Sequence, residues 1–133
     1  MNPLETGRKT EAIVLAELVK RDYWVSVPFG PQRYDLIVDR DGVFERVQVK
    51  TGRLRDGKVV YNPRSVSGRS RKARSYTKDE IDVFAVYCPE TEKVYWVPVE
   101  DASASVAHLR IAPAKNGQSV GVRLANDYEL KPT

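Results

Sequence analysis

The sequence is poor in the residues on which many small enzymes and secreted domains depend. Its 133 residues include one cysteine, Cys88, and one histidine, His108. A single cysteine excludes an intrachain disulfide and a zinc site closed by cysteine ligands. The apolar neighbours of His108, in the run AHLRIA, favour a packed or surface histidine over the general base of a serine–histidine–acid site.

Long hydrophobic runs are also missing. No run approaches the roughly 20 apolar residues that cross a bilayer, and the N-terminal MNPLETGRKTEAIVLAEL lacks the hydrophobic core of a signal peptide. These absences predict a cytoplasmic protein with no membrane association. Hydrophobic residues make up 41% and charged residues 30%, a balance typical of globular proteins, and the length predicts one domain over residues 1–133.

Positive charge is concentrated in the middle of the chain. The formal net charge is +4, but from Lys50 to Lys78 ten residues are basic and one, Asp56, is acidic. Protein surfaces usually mix charges of both signs, so this excess favours contact with a polyanion such as nucleic acid over a merely solvated surface. At about 62–79, serine and glycine interleave the charges, which is typical of a mobile loop that orders against phosphates. The candidate nucleic-acid contacts are Arg53, Arg55, Lys58, Arg64, Arg69, Arg71, Lys72, Arg74 and Lys78.

The N-terminal segment carries the signals of a helix. Asn2 fits the N-cap, Pro3 the first turn and Glu5 the N3 position. The pattern predicts that this helix ends at Asp22 or Tyr23.

The apolar stripe of this helix includes an acidic residue. The stripe contains Val14, Leu15 and Leu18, and steps of three, four and seven residues back from it all reach Glu11. A carboxylate on the core-facing side costs free energy unless it is paired or metal-bound, although a glutamate near a helix start is also common without a function. Glu11 is therefore a candidate functional residue.

Three β-rich runs follow the helix. YWVSVP is typical of a strand, and YDLIVD and VFERVQVK predict a hairpin across the turn RDG. Period-two alternation places Gln48 and Lys50 on one face of the second arm, about 6–7 Å apart along the strand. Asp35 lies in the otherwise apolar first arm, where aspartate is disfavoured unless it caps the end of the strand.

The second half of the chain is also rich in strand patterns. IDVFAVYCP and KVYWVPVE predict a second hairpin around Glu90 and Thr91. ASASVAHL is consistent with a short helix, and RIAP and SVGVRLA predict edge strands around the turn KNGQ.

The polar residues that interrupt these apolar patterns follow one another along the chain as a glutamate on a helix, an aspartate at a strand, and glutamine-x-lysine on the next strand. In this order the sequence resembles the PD-(D/E)XK nuclease superfamily, through Glu11 in GRKTE, Asp35 in YDLIVD, and Gln48 with Lys50 in VQVKTG. The runs IDVFAVYCPETEKVYWVPVED and RLANDYE are similar to the intron-associated homing endonucleases. More distantly, the chain is similar to archaeal Holliday-junction resolvases.

The resemblance implies a fold and a chemistry. The fold is α/β, a restriction-endonuclease-like core in which the N-terminal helix packs on a central mixed β-sheet with hairpins. The activity is divalent-metal-dependent, site-specific endonucleolytic hydrolysis of DNA, with Mg²⁺ as the ion, Mn²⁺ as a substitute and no other cofactor.

The resemblance also implies roles for the site residues. Asp35, the side-chain oxygen of Gln48 and the backbone carbonyl of Val49 would ligate the metal. Lys50 would orient or help deprotonate the attacking water, or stabilise the charge of the transition state. Glu11 would lie in the outer shell or bind a second ion.

Gln48 departs from the glutamate or aspartate that most members of the superfamily carry, so the site has one negative charge fewer. This leaves two options, an active nuclease of the glutamine variety known from the intron-associated subgroup, or a catalytically silent relative that retains DNA binding. Two further alternatives to a homing-type endonuclease are a structure-specific, junction-resolving nuclease and an RNA-binding structural protein supported only by the basic loop. Because one small domain engages one scissile strand, double-strand cleavage implies a homodimer or homotetramer.

Overall fold

The computed structural model describes residues 2–66, 73–102, 107–112 and 122–132. The helical elements are α1 (Pro3–Lys20) and two short 3₁₀ helices, Val99–Asp101 and Ala125–Tyr128. The strands are β1 (Trp24–Ser26), β2 (Leu36–Arg40), β3 (Val43–Thr51), β4 (Arg53–Arg55), β5 (Lys58–Tyr61), β6 (Arg64–Val66), β7 (Ala73–Ser75), β8 (Val83–Cys88), β9 (Lys93–Pro98) and β10 (Ala107–Arg110). Within the described ranges, no helix has the length and apolar character that a membrane crossing requires.

Helix α1 begins where the sequence predicts. The side-chain oxygen of Asn2 accepts a hydrogen bond from the backbone N–H of Glu5 at 3.0 Å. Pro3 stands in the first turn, where its missing N–H leaves no hydrogen bond unmade. The helix ends at Lys20, slightly before the predicted end, and Asp22 beyond it adopts a left-handed φ of 67°.

A five-stranded mixed sheet contains both predicted hairpins. Its strand order is β1-β2-β3-β8-β9, and every neighbouring pair is antiparallel except β3 and β8, which are parallel. The turn between β2 and β3 is made by Asp41 and Gly42, with φ values of 54° and 83°. Two consecutive positive φ angles are what a tight two-residue hairpin turn requires. The mixed α/β architecture predicted from the sequence is confirmed.

The connection from β3 to β8 carries two further hairpins. β4 and β5 pair with each other and, through β5, with β10 in an antiparallel three-stranded sheet. β6 and β7 pair only with each other among the described strands, and we call these two strands, residues 64–66 and 73–75, the basic hairpin. The loop predicted at about 62–79 is therefore wrong over residues 64–66 and 73–75, which pair as antiparallel strands. Residues 67–72 lie outside the described part of the chain.

The C-terminal part of the chain also differs from the prediction. The predicted helix ASASVAHL is wrong over Ala107–Leu109, which belong to β10 and alternate between buried and exposed as a strand does. Residues 103–106 and the predicted turn KNGQ lie outside the described part of the chain. Of the predicted edge strands, Arg110 ends β10, and Leu124 meets it in an isolated parallel bridge.

The central sheet has an apolar core on each face. On one face, Val14 and Leu18 of α1 pack in a cluster with Val47 and Val49 of β3. On the other face, residues of β8 and β9 pack against β5 and β10. The C-terminal half of β3 lies between these layers, so the side chains it carries have well-determined positions.

Candidate active site and basic groove

The candidate ligands Asp35, Gln48 and Val49 all lie on one hairpin, residues 35–51, which we call the ligand hairpin. Asp35 directly precedes β2, and its backbone N–H donates to the carbonyl oxygen of Val47 at 2.8 Å. Its Oδ2 accepts a hydrogen bond from the backbone N–H of Val49 at 3.0 Å. The backbone ladder thus brings this carboxylate beside the β3 residues that the sequence singles out.

Gln48 and Lys50 share one face of β3, as the alternation predicts. The residues between and beside them, Val47 and Val49, are buried on the opposite face, whereas Gln48 and Lys50 are half-buried. The side-chain amide nitrogen of Gln48 lies 3.4 Å from the carbonyl oxygen of Val49. Two of the three predicted ligand groups are therefore already adjacent.

Glu11 approaches the same site from α1. Burial raises the pKa of Glu11, and the nearby negative charge of Asp35 raises it further. A hydrogen bond of 2.7 Å between the hydroxyls of Thr10 and Thr51 ties this turn of the helix to the end of β3. The sequence predicted Glu11 as a functional candidate, and the structure brings it within electrostatic range of Asp35.

The electrostatic state of Asp35 is unusual for an aspartate. Burial raises its pKa, while the hydrogen bond from Val49 N–H and the positive charge of Lys50 act in the opposite direction and do not fully compensate. A desolvated carboxylate beside a second acid is poorly satisfied by the protein alone. A divalent cation would supply the missing positive charge.

Lys50 is partly desolvated as well. Its Nζ donates to the carbonyl oxygen of Arg64 at 2.8 Å and lies 5.3 Å from the centroid of the Tyr76 ring. Burial lowers the pKa of Lys50, the charge of Asp35 opposes this, and the charge of Arg33 adds to it. The hydrogen bond fixes the amine and uses one of its three N–H donors.

The residues present fit a hard divalent cation. Rotation of the Gln48 amide by half a turn exchanges its nitrogen and oxygen, so the oxygen can occupy the position 3.4 Å from the Val49 carbonyl oxygen. Neighbouring oxygen ligands of Mg²⁺ lie about 3 Å apart, given bond lengths of about 2.1 Å. Within the described residues, no three His, Cys, Asp or Glu side chains cluster as a metal site. A ligand set of one carboxylate, one amide and one backbone carbonyl is consistent with that finding.

Several predicted nucleic-acid contacts line a groove beside the ligand hairpin. A cavity of about 500 Å³, which we call the basic groove, is lined by Thr51, Arg53, Arg55, Val60, Tyr61, Asn62, Arg64 and Ala73. Three of these residues are arginines, so the groove offers several guanidinium groups to an anion. It begins at Thr51, immediately after Lys50, which connects the cationic surface to the candidate site.

The remaining predicted contacts are more dispersed. Lys58 pairs with Arg55 across the β4–β5 hairpin, and Lys78 is exposed in the turn before β8. Arg74 is exposed on β7 and forms an ion pair with Glu80 at 2.8 Å. The structure does not describe Arg69, Arg71 and Lys72.

Sequence reasoning missed three residues beside the site: Arg33, Tyr76 and Glu80. Arg33 donates to Glu80 at 2.8 Å and lies over the ring of Tyr76 at 3.9 Å. No motif or periodicity marks them. The one available signal was that an arginine stands two residues before the motif aspartate, Asp35, in a segment otherwise free of charge from Val25 onward.

Comparisons with known proteins agree with this fold. The sequence matches the family model described as PD-(D/E)XK endonuclease over residues 1–131. A search of the curated proteins finds no match. Among solved structures, the fold is similar to that of a bacterial homing endonuclease, I-Ssp6803I, with a TM-score of 0.76 and 22% sequence identity over 97% of this chain and 89% of that chain.

The family match extends over nearly the whole chain, a range that contains Glu11, Asp35, Gln48 and Lys50. The structural likeness independently supports the fold of a helix on a mixed sheet. The protein therefore belongs to the PD-(D/E)XK endonuclease family of divalent-metal-dependent nucleases.

Proposed function

We propose that the protein is a site-specific DNA endonuclease that uses Mg²⁺, with Mn²⁺ as a substitute, and that residues 1–133 form one nuclease domain. The observation that carries the proposal is the convergence of Asp35, Gln48, Val49 and Lys50 on one hairpin next to a groove lined with arginines. Phosphodiester hydrolysis needs both parts, because the substrate must be held by its phosphates while one of them is attacked.

In the proposed mechanism, Asp35, the Gln48 amide oxygen and the Val49 carbonyl hold the metal. When bound, the cation would supply Lewis-acid stabilisation of the charge on the phosphoryl oxygens. Val49 also fixes the Asp35 carboxylate through its backbone N–H, at 3.0 Å. The same residue thereby orients the carboxylate and offers its own oxygen.

We assign to Lys50 the orientation of the attacking water or the stabilisation of negative charge in the transition state. Its amine is held by the carbonyl of Arg64, so its free N–H donors point from a fixed position. Burial lowers the pKa of Lys50, so a larger fraction of the amine is uncharged at neutral pH than for an exposed lysine. Glu11 acts from the outer shell or binds a second ion, since the charge of Asp35 reaches it.

The first test is Lys50→Ala, assayed for cleavage and for DNA affinity on labelled duplex with Mg²⁺ or Mn²⁺. Cleavage should be abolished while the Kd for DNA, measured in Ca²⁺, changes little. Lys20→Ala is the charge-matched control, because Lys20 lies at the far end of α1 and pairs only locally with Glu17 at 2.9 Å. Near-normal cleavage by Lys50→Ala would discard the assignment.

The choice of DNA substrate separates the alternatives. Parallel reactions with duplex libraries and four-way junctions should give cleavage at a defined sequence in duplex. Cleavage of the junction alone would indicate a junction-resolving nuclease, and binding without cleavage in either metal would indicate a silent DNA-binding module.

We also propose that the active form is a homodimer or homotetramer, because cutting both strands needs two copies of the site. Exposed aromatic side chains support this proposal. Trp24 is 79% exposed and Phe44 68% exposed, and both are paired in register with Asp39 of β2, so they share one face. Light scattering should give a mass of two or four chains for the wild type and a smaller mass for Trp24→Ser/Phe44→Ser.

A cytoplasmic location is the setting that these properties support. The substrate is DNA, and the cysteine Cys88 is free and buried. Fractionation of expressing cells would test it.

A further inference from the structure

Arg33 makes four hydrogen bonds, three to the basic hairpin and one to Glu80. Its Nη1 donates to the carbonyl oxygen of Ser75 at 2.9 Å and to Glu80 Oε1 at 2.8 Å. Its Nη2 donates to the hydroxyl of Ser65 at 2.5 Å and to the carbonyl oxygen of Arg74 at 3.3 Å. The side chain is only 20% exposed, so its main contacts are with the protein.

Arg33 also stacks on Tyr76, a ring that packs against the apolar core. The guanidinium carbon of Arg33 lies 3.9 Å from the centroid of the Tyr76 ring. Tyr76 in turn meets the buried Phe84 edge-on, with the ring centroids 5.5 Å apart and the planes at 88°. Arg33 therefore connects the basic hairpin to a ring that the core fixes.

The hairpin residues that Arg33 contacts are linked to Lys50 through one strand pairing. Ser75 is paired with Arg64 in the β6–β7 ladder. The carbonyl oxygen of Arg64 accepts the hydrogen bond from Lys50 Nζ at 2.8 Å. A displacement of β7 would shift Arg64, and with it the acceptor that positions the amine of Lys50.

Only an arginine satisfies all of these contacts. The guanidinium is planar, carries five N–H donors in a fixed fork and stacks on aromatic rings, whereas a lysine ammonium is a compact group with three donors. We propose that Arg33 is a positioning residue that fixes the basic hairpin on the core and, through the carbonyl of Arg64, sets the position of Lys50. This inference deepens the proposed function and rests on it for its catalytic part.

The first arm of the test needs no DNA. Hydrogen exchange in residues 64–66 and 73–75 is compared in the wild type, Arg33→Gln, Arg33→Lys and Arg74→Gln. Arg74 is the matched control because it pairs with the same Glu80, at 2.8 Å, but from an exposed position. Arg33→Gln should speed exchange in these segments about tenfold or more, Arg33→Lys should have a smaller effect, and Arg74→Gln should leave it near the wild-type rate. Exchange in α1 and β3 should stay unchanged in all variants.

The second arm measures the salt dependence of duplex binding and the cleavage rate at saturating DNA. Arg74→Gln should reduce the log–log slope by about 0.9, the value for one phosphate contact. Arg33→Gln should reduce it by about 1.8 or more, because Arg64 and Arg74 both lose their fixed positions, and should slow cleavage about tenfold. Arg33→Lys should recover part of both losses.

Two outcomes would overturn the positioning role of Arg33. A slope loss of about 0.9 in Arg33→Gln, with wild-type hairpin exchange, would make Arg33 a simple phosphate contact and overturn the inference. Faster exchange throughout the chain in both Arg33 variants would assign Arg33 to overall stability and overturn it equally. If the wild type does not cleave DNA, the proposed function fails, whereas the exchange arm still decides whether Arg33 positions the hairpin.

Discussion

The ligand hairpin and the basic hairpin are held in place by different kinds of interaction. The ligand hairpin lies in a five-stranded sheet, with β3 hydrogen-bonded on both edges to β2 and β8 and buried valines beneath it. The basic hairpin pairs only with itself among the described strands, and Arg33 and Glu80 hold it through side chains. The proposed metal ligands therefore lie on strands fixed by backbone pairing on both sides, whereas the proposed DNA contacts depend on a few polar side chains for their position.

The largest effect on cleavage should come from removing the charge of Asp35 on the ligand hairpin. Asp35→Asn keeps an oxygen for the Val49 N–H but removes the principal carboxylate, so cleavage should fall on the order of 10³-fold, as for the loss of a central electrostatic group. DNA affinity measured without divalent metal should change little. A quench-flow or gel assay checks the rate, and equal losses of rate and affinity would break the division between the two hairpins.

A smaller effect is expected from restoring charge at Gln48. Gln48→Glu should lower the Mg²⁺ concentration for half-maximal cleavage about tenfold, because an added negative charge next to a cation strengthens binding. Gln48→Leu, which has no oxygen, should raise that concentration. If both variants titrate with metal like the wild type, Gln48 is not a ligand.

The thermal stability of Asp35→Asn without metal, compared with that of the wild type, tests the cost of the buried carboxylate on the ligand hairpin. The pKa of Asp35 is raised by burial, so the folded protein binds its proton more tightly than the unfolded chain. Wild-type stability therefore falls as pH rises through the interval between the ordinary and the raised pKa, and stays reduced above it. In EDTA, Tm of Asp35→Asn should exceed that of the wild type by a few degrees at neutral pH, and the gap should close as pH falls through that interval. A gap that widens in acid would contradict the assigned direction of the shift.

The smallest effect should come from removing one arginine of the basic hairpin. Arg64→Gln removes a guanidinium from the basic groove but leaves the backbone carbonyl that holds Lys50. Its loss should appear in the Kd for DNA, with the salt slope smaller by about 0.9. Fluorescence anisotropy at several salt concentrations measures this, and an unchanged slope would remove Arg64 from the phosphate contacts.

The candidate ligands could be predicted because they interrupt simple patterns. Glu11 interrupts an apolar helical stripe, Asp35 precedes an apolar strand, and Gln48 and Lys50 fall on the half-buried face of an alternating one. In each case local periodicity determines the direction of the side chain. The helix start and both hairpins of the central sheet were predictable for the same reason, since their caps and turns are local signals.

The remaining features depend on contacts that are distant in sequence. The small residues of ASASVAHL suit a helix locally, but pairing of Ala107–Arg110 with β5 makes them a strand. Residues 64–66 and 73–75 were predicted as part of a loop because their contacts with Arg33 are distant in sequence, and two of these contacts are to backbone carbonyls, which no residue type reveals. The isolated charge of Arg33 marks it as unusual in the sequence, but not which groups it contacts.

The parallel pairing of β3 with β8 has a consequence for how such a protein can diversify. A parallel pair needs a long crossover, and here the crossover from Thr51 to Val83 contains both β4–β5 and the basic hairpin. Insertions or deletions between β6 and β7 are therefore expected to leave the register of β3 against β2 and β8 unchanged. Recombination or laboratory grafting between β6 and β7 would then change the proposed DNA contacts and leave the candidate metal ligands in place.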